Sequence, residues 1–236
     1  MSAVLTPAEQ RVVLHNVSWQ TYERILADHV SSSAPHFTFD HGELEIVSPS
    51  AEHERYVRRL DNLIQIVADE MDLEAEGLGS TTFRREELER GFEPDCCYYV
   101  ANERRVRGKN ELDLTVDPPP DLVIEVDITS PSIGKLPIFA EFGVPEVWRF
   151  RSERLAILGL SPSGEYVEVP ERRVFPGLTS GEVSELMARG KDLGGTAWRR
   201  LVRAWAHELF GKVMDLTKEG GGPAKQNDPD GGFGKS

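Results

Sequence analysis

The chain is poor in the features that would place it quickly. Among its 236 residues the only cysteines are Cys96 and Cys97. Adjacent residues close no loop and lack the spacing of paired zinc ligands, so a disulfide framework and a zinc ribbon are both excluded. They are expected to be reduced core thiols. Aromatic residues make up 8% of the chain, and no apolar run approaches the ~20 residues that cross a bilayer. No membrane partner is expected. The opening "MSAVLTPAEQRVVLHN" lacks a basic segment followed by an apolar one, which argues against a secretory leader and for the cytoplasm. Positive charge is also scarce: 27 Lys and Arg stand against 40 Asp and Glu, a net charge of −13. An anionic polymer is therefore repelled by the body as a whole and can be met only through local features.

What is present is ordinary globular composition, 39% hydrophobic and 28% charged, in a length that suits one sizeable domain. "VSWQTYERILADHV" has helical spacing, with Ser18 as N-cap and Trp19, Tyr22, Ile25 and Leu26 on one side. "HFTFDHGELEIVSP" alternates on either side of "DHGE" and reads as a hairpin. "SPSAEHERYVRRLDNLIQIVADEMDLE" carries the strongest helical stripe, capped by Ser50, and extending that stripe backwards puts His53 on the inward face with Glu54 on the flank. Strands follow near "STTFRRE" and "CCYYV". Beyond the basic, irregular "NERRVRGKNE" come further strands at "DLVIEVDIT", "PEVWRF" and "RLAILGL", with "EYVEVPE" and "RVFPGL" as a last pair. A short helix is expected at "PIFAEFG", with Gly143 as its C-cap, and two longer ones at "GEVSELMARG" and "TAWRRLVRAWAHELFGKV". The terminal "GFGKS" is no phosphate loop, because Pro229 stands where the first glycine belongs.

The informative stretch is "DLVIEVDIT". A side-chain period of two puts Leu122, Ile124, Val126 and Ile128 on one face and Val123, Glu125 and Asp127 on the other. Both faces are apolar as far as Glu125, the pattern of a strand covered on both sides. Three readings of the paired acids compete: charges that guard an edge strand, buried partners of arginines, or ligands of a hard divalent cation, which takes oxygen donors. The third gains from two neighbours. Asp95, after Pro94, begins another strand and can meet Glu125 across the sheet. Lys135 stands at the entry to the next helix, eight positions past Asp127. Two acids and a lysine suit phosphodiester hydrolysis, in which a metal polarises the phosphate and a cation orients the attacking water.

These residues resemble the PD-(D/E)xK nuclease superfamily, and within it the bacterial family of putative restriction endonucleases. The resemblance rests on "GELEIVSPSAEHERYVRRL", "EPD", "PPPDLVIEVDITSPS" and "KLPIFAEFGVPEVWRF", and extends from about Trp19 to Leu178. It implies a restriction-endonuclease-like α/β fold: a central mixed β-sheet flanked by helices, with an N-terminal helix and β-hairpin and a C-terminal helical extension. It implies cleavage of DNA with Mg²⁺ or Mn²⁺. Asp95 matches the family aspartate and Glu125 the acid of the second element, the two expected metal ligands. The superfamily lysine is replaced by Asp127, and Lys135 falls where members of the family commonly carry a lysine ahead of the helix. Asp127 is then a further ligand or an orienter of Lys135, and His53 matches the family histidine as a supporting residue. The expected organisation is a lead-in over 1–17, the nuclease-like domain over 18–178, packed helices over 179–216 and a disordered tail over 217–236. A homodimer is the simplest way to cut both strands of a duplex. The alternative function is a catalytically idle nuclease fold serving as an interaction or regulatory module, linked to mobile elements. Arg55/Arg58/Arg59, Arg104/Arg105/Arg107/Lys109 and Arg199/Arg200/Arg203 are candidate DNA-facing clusters that also read as solvated faces.

Overall fold

A computed structural model describes residues 9–29, 34–128, 134–169 and 174–219, with side chains through Phe210. The chain begins with β1 (Gln10–Leu14), α1 (Trp19–Asp28), the hairpin β2 (His36–Asp40) and β3 (Glu43–Ser48), and the long helix α2 (Ala51–Glu70). Short strands β4 (Glu76–Gly77), β5 (Phe83–Arg85) and β6 (Arg90–Phe92) lead to β7 (Cys96–Tyr99), the single helical turn α3 (Glu103–Val106) and β8 (Leu122–Asp127). Then come α4 (Lys135–Phe142), β9 (Glu146–Arg151), β10 (Arg154–Leu160), β11 (Tyr166–Glu168), α5 (Ser180–Gly190) and α6 (Gly195–Glu219).

The expected caps are in place. Ser18 Oγ accepts from Thr21 N–H and Ser50 Oγ from His53 N–H, each satisfying a donor that the first helical turn leaves open. The hairpin turns through His41 and Gly42, both at positive φ, which matches the twist of the strands it joins. Gly143, also at positive φ, closes α4.

The architecture is mixed α/β. A six-stranded sheet has the order β11-β10-β9-β8-β7-β4, with β8 and β9 parallel and its other pairs antiparallel. The parallel pair is joined through α4, so β8–α4–β9 forms a crossover unit that covers one face of the sheet. Val123, on that face, packs with Ile138, Phe139 and Phe142 of α4. Leu122, Ile124 and Val126 face the opposite way, into the largest core cluster with Leu60, Ile64 and Val67 of α2. Glu125 thus lies in a strand buried on both sides.

A second, antiparallel sheet has the order β1-β3-β2-β6-β5. One of its faces holds Phe37, Phe39 and Leu44 against Trp19, Tyr22 and Leu26 of α1. Gly91 of β6 lies under the Tyr22 ring: a Cβ there would meet Tyr22 Oη at 2.3 Å, so only glycine fits. The sheet's other face, with His36, Thr38, Glu45 and Val47, turns toward β8 and borders the candidate site.

Three details differ from the sequence reading. The stretch 1–17 was read without an element, yet Gln10–Leu14 forms an edge strand on β3, and its five residues give too short a pattern to be recognised. In "RVFPGL" the described residues 174–178 form turns rather than a strand. Val174, Phe175 and Leu178 are nevertheless buried, and Pro176 has no N–H to give to a ladder. "NERRVRGKNE" contains α3, held by Arg107, whose Nε donates to Glu103 at 2.5 Å. The polar stretch expected to form a tail lies, beyond Glu219, outside the described residues.

Candidate active site

β7 and β8 pair antiparallel with Cys96 opposite Ile124, so one step along Asp95 stands opposite Glu125. Asp95 is held from several directions. Its Oδ2 accepts from Val126 N–H at 2.7 Å and from His53 Nε2 at 3.1 Å, while His36 Nδ1 lies 3.8 Å from Oδ1. Burial opposes ionisation of Asp95, but the nearby His36, the bond from His53 and the charge of Lys135 outweigh it and hold the carboxyl well below the usual range. Burial likewise works against charge on His36 and His53, and the bond to Asp95 reverses it, raising both imidazoles.

Glu125 is buried, and Lys135 Nζ donates to its Oε2 at 2.7 Å. Burial pushes the carboxyl up to about 7, against the opposing charge of Lys135 and with the help of Asp95. Lys135 is raised in turn, because the charges of Glu125 and Asp95 overcome its own burial. Glu125 Oε1 is buried with no hydrogen-bond partner among the described residues. An acceptor in that state is costly unless something else fills the position.

Asp127, one step further along the face, turns to Arg149, whose Nε donates to Oδ2 at 2.5 Å. It does not orient Lys135 by a hydrogen bond, as the sequence reading had allowed; Lys135 is taken by Glu125 and Asp127 by the arginine of the neighbouring strand.

The fold adds residues that sequence reasoning missed. Glu45, fully buried on β3, accepts from Arg11 Nη1 of β1 at 2.6 Å, and Arg11 Nη2 donates to Glu9 at 2.6 Å. A small cavity of about 30 Å³, room for one or two waters, touches Glu45, His36, His53, Asp95, Glu125 and Lys135. The alternation of the hairpin already puts His36, Thr38 and Glu45 opposite Phe37, Phe39 and Leu44, but a polar face reads as solvent-facing until a second sheet is laid over it.

The donors suit a hard divalent cation. They are carboxylate oxygens with one open acceptor, and Glu9, Glu45, Asp95, Glu125 and Asp127 all line the cavity. Among the described residues no three His, Cys, Asp or Glu side chains converge as a complete cage. Mg²⁺ needs none, since one or two carboxylates with water and phosphate oxygens complete its shell.

A family model described as "Putative restriction endonuclease" (Uma2) matches residues 19–188. The chain belongs to this family. Membership places it among the nuclease-type proteins of the PD-(D/E)xK superfamily. Among solved structures it is similar to a crystal structure of a "putative nuclease belonging to DUF820" from Anabaena variabilis ATCC 29413, at 12% identity and a TM-score of 0.44, covering 68% of this chain and 97% of that one. No curated protein matches. Among the described residues, no helix is long and apolar enough to cross a membrane.

Three members of the basic clusters are occupied by structure. Arg59 donates to the carbonyls of Gly190, Lys191 and Leu193 and lies over the Trp198 ring at 5.5 Å, tying α2 to the α5–α6 turn. Arg107 pairs with Glu103 and Glu74, and Lys109 with Asp117.

Proposed function

We propose that this chain is a divalent-metal-dependent endonuclease that hydrolyses DNA phosphodiester bonds. The observation that carries the reading is the junction of Lys135 with Glu125 at 2.7 Å, beside an unpartnered buried Glu125 oxygen and across the β7–β8 pair from Asp95. A lysine displaced along the sequence has returned to the acids, which is what phosphodiester chemistry requires of it.

In this reading Asp95 and Glu125 hold Mg²⁺ or Mn²⁺. When bound, the cation polarises the scissile phosphate and acidifies water. Lys135, released from part of its bond to Glu125, holds the attacking water by its oxygen and offsets charge that develops on the phosphate. His53 and His36 fix the Asp95 carboxylate and keep it ionised; Asp127 assists through Arg149. The domain is residues 18–178 with the helices of 179–216 packed on it, supported by the shared core of α2 with Trp198, Val202 and Ala206 of α6. Two free, buried cysteines suit a reducing compartment such as the cytoplasm. Two copies related by a twofold axis would present one site to each strand.

A second reading, an idle nuclease fold used for interaction or regulation, is favoured by the consumption of Arg59, Arg107 and Lys109 in structural contacts. One experiment separates the two. Plasmid and single-strand cleavage with Mg²⁺ or Mn²⁺ is compared for the parent, Glu125→Gln and Lys135→Ala. Metal-dependent cutting lost in both variants is expected; no cutting by the parent at low salt with either metal would favour the idle fold.

A further inference from the structure

The position at which the superfamily pattern calls for lysine holds Asp127, and its partner is Arg149. β8 and β9 run parallel with Glu125 registered on Arg149, so the arginine leaves the sheet on the face that carries Glu125 and Asp127. A cavity of about 190 Å³ is lined by Glu125, Asp127, Lys135 and Arg149 together with the apolar Leu136 and Phe139. The two cations there differ. Lys135 is tied to Glu125, whereas the Arg149 side chain is 29% exposed and bonds to protein only through Nε among the described residues. Its two Nη groups, four N–H donors in one plane, have no hydrogen-bond partner among the described residues, and Arg149 lines the cavity.

We propose that Arg149 binds a phosphodiester oxygen of the nucleic-acid strand entering the site, with Asp127 as the positioning residue that holds its guanidinium by Nε and leaves the Nη edge for the phosphate. The proposal rests on the nuclease reading. A guanidinium fork matches two phosphate oxygens, and fixing Nε removes the rotational freedom that would weaken the match. As a pure surface pair, Asp127–Arg149 would contribute little.

The test is binding of a fluorescent single-stranded oligonucleotide to the full chain over a range of salt, with Ca²⁺ in place of Mg²⁺. Arg149→Met is expected to weaken binding about tenfold and to reduce the slope of log K against log[salt] by about 0.7, the loss of one phosphate contact on a single strand. Arg149→Lys should keep the slope but lose affinity, and Asp127→Asn should lose affinity several-fold with the slope unchanged. Parent binding with an unaltered slope in Arg149→Met overturns the proposal and leaves the nuclease reading intact. If the parent binds no single-stranded oligonucleotide, plasmid cleavage judges the nuclease reading, and for Arg149 the Nε–H NMR resonance of the parent, titrated with inorganic phosphate in metal-free buffer, decides. A saturable shift keeps the anion site with free phosphate as its ligand; no shift overturns it.

Discussion

Lys135 Nζ and Glu125 Oε2 meet at 2.7 Å although ten positions and a change from strand to helix separate them. The crossover from β8 into α4 brings the first residue of the helix back over the strand that precedes it. Glu125 is buried and Lys135 half-buried, and each is the main compensation for the other.

Removal of the lysine should therefore be expensive only while Glu125 is charged. Lys135→Met is expected to cost about 3–5 kcal/mol at pH 8, the range for a broken buried pair. The cost should shrink at pH 5.5, where Glu125 takes a proton, and nearly vanish when Glu125→Gln is added. Urea denaturation of the four proteins of the cycle at both pH values measures this.

Glu125 itself links stability and metal affinity to pH. With its folded carboxyl raised from 4.5 to about 7, the folded state holds the proton more tightly. That contribution is fully present below about pH 4.5 and is lost as pH rises through 7, so the stability of the metal-free parent relative to Glu125→Gln should fall by about 3 kcal/mol between pH 4.5 and 8. Mn²⁺ affinity should run the other way, rising about tenfold per unit up to pH 7 and levelling above it, with proton release on binding below that point. Calorimetry in two buffers of different ionisation enthalpy reads both the affinity and the proton.

His53 reaches Asp95 Oδ2 at 3.1 Å, and Val126 N–H donates to the same oxygen. His53→Ala should leave the strand pairing intact but weaken Mn²⁺ binding by about tenfold, the lower end of what loss of a group orienting a ligand costs. His53→Gln, which can still donate, should recover part of it. Equal affinities in parent and His53→Ala would show that Val126 N–H and His36 suffice to hold the carboxylate.

Arg59 serves the fold. It caps the end of α5 through three carbonyls and covers Trp198. Arg59→Ala is expected to lower stability by about 2–4 kcal/mol, as loss of several charge-assisted bonds does, and to leave the salt slope of oligonucleotide binding unchanged. A reduced slope without loss of stability would return it to the DNA-facing cluster in which its sequence neighbours suggested it.

The thiols should be silent in the folded protein. Burial and the nearby charge of Asp61 push Cys96 up to about 12, and burial pushes Cys97 higher. A thiol reagent at pH 8 should modify neither until denaturant is added, and fast labelling of the native chain would contradict the packing of β7.

Much of this architecture was legible in local pattern. Ser18, Ser50 and Gly143 mark helix ends because a short stretch of backbone decides whether a cap fits. Glu125 and Asp127 were identifiable because acids inside an apolar run conflict with burial, and Asp95 because it opens a strand that can lie beside them. β1 was missed because a short edge strand has no such conflict. His36, Glu45 and Arg11 were missed because a polar face is the ordinary outside of a hairpin, and only the packing of one sheet over another makes it an inside.

The sequence by itself determined most of the elements, their caps, the doubly buried β8 and the paired acids on one of its faces, since each depends on periodicity or on residues close along the chain. The tertiary structure alone decided the partners. Whether Lys135 met Glu125 or Asp127, whether Arg59 faced solvent or a helix end, and which strand supplied the arginine for Asp127 were questions of strand register and helix placement. Those are set by packing between residues far apart in the chain, and no local pattern encodes them.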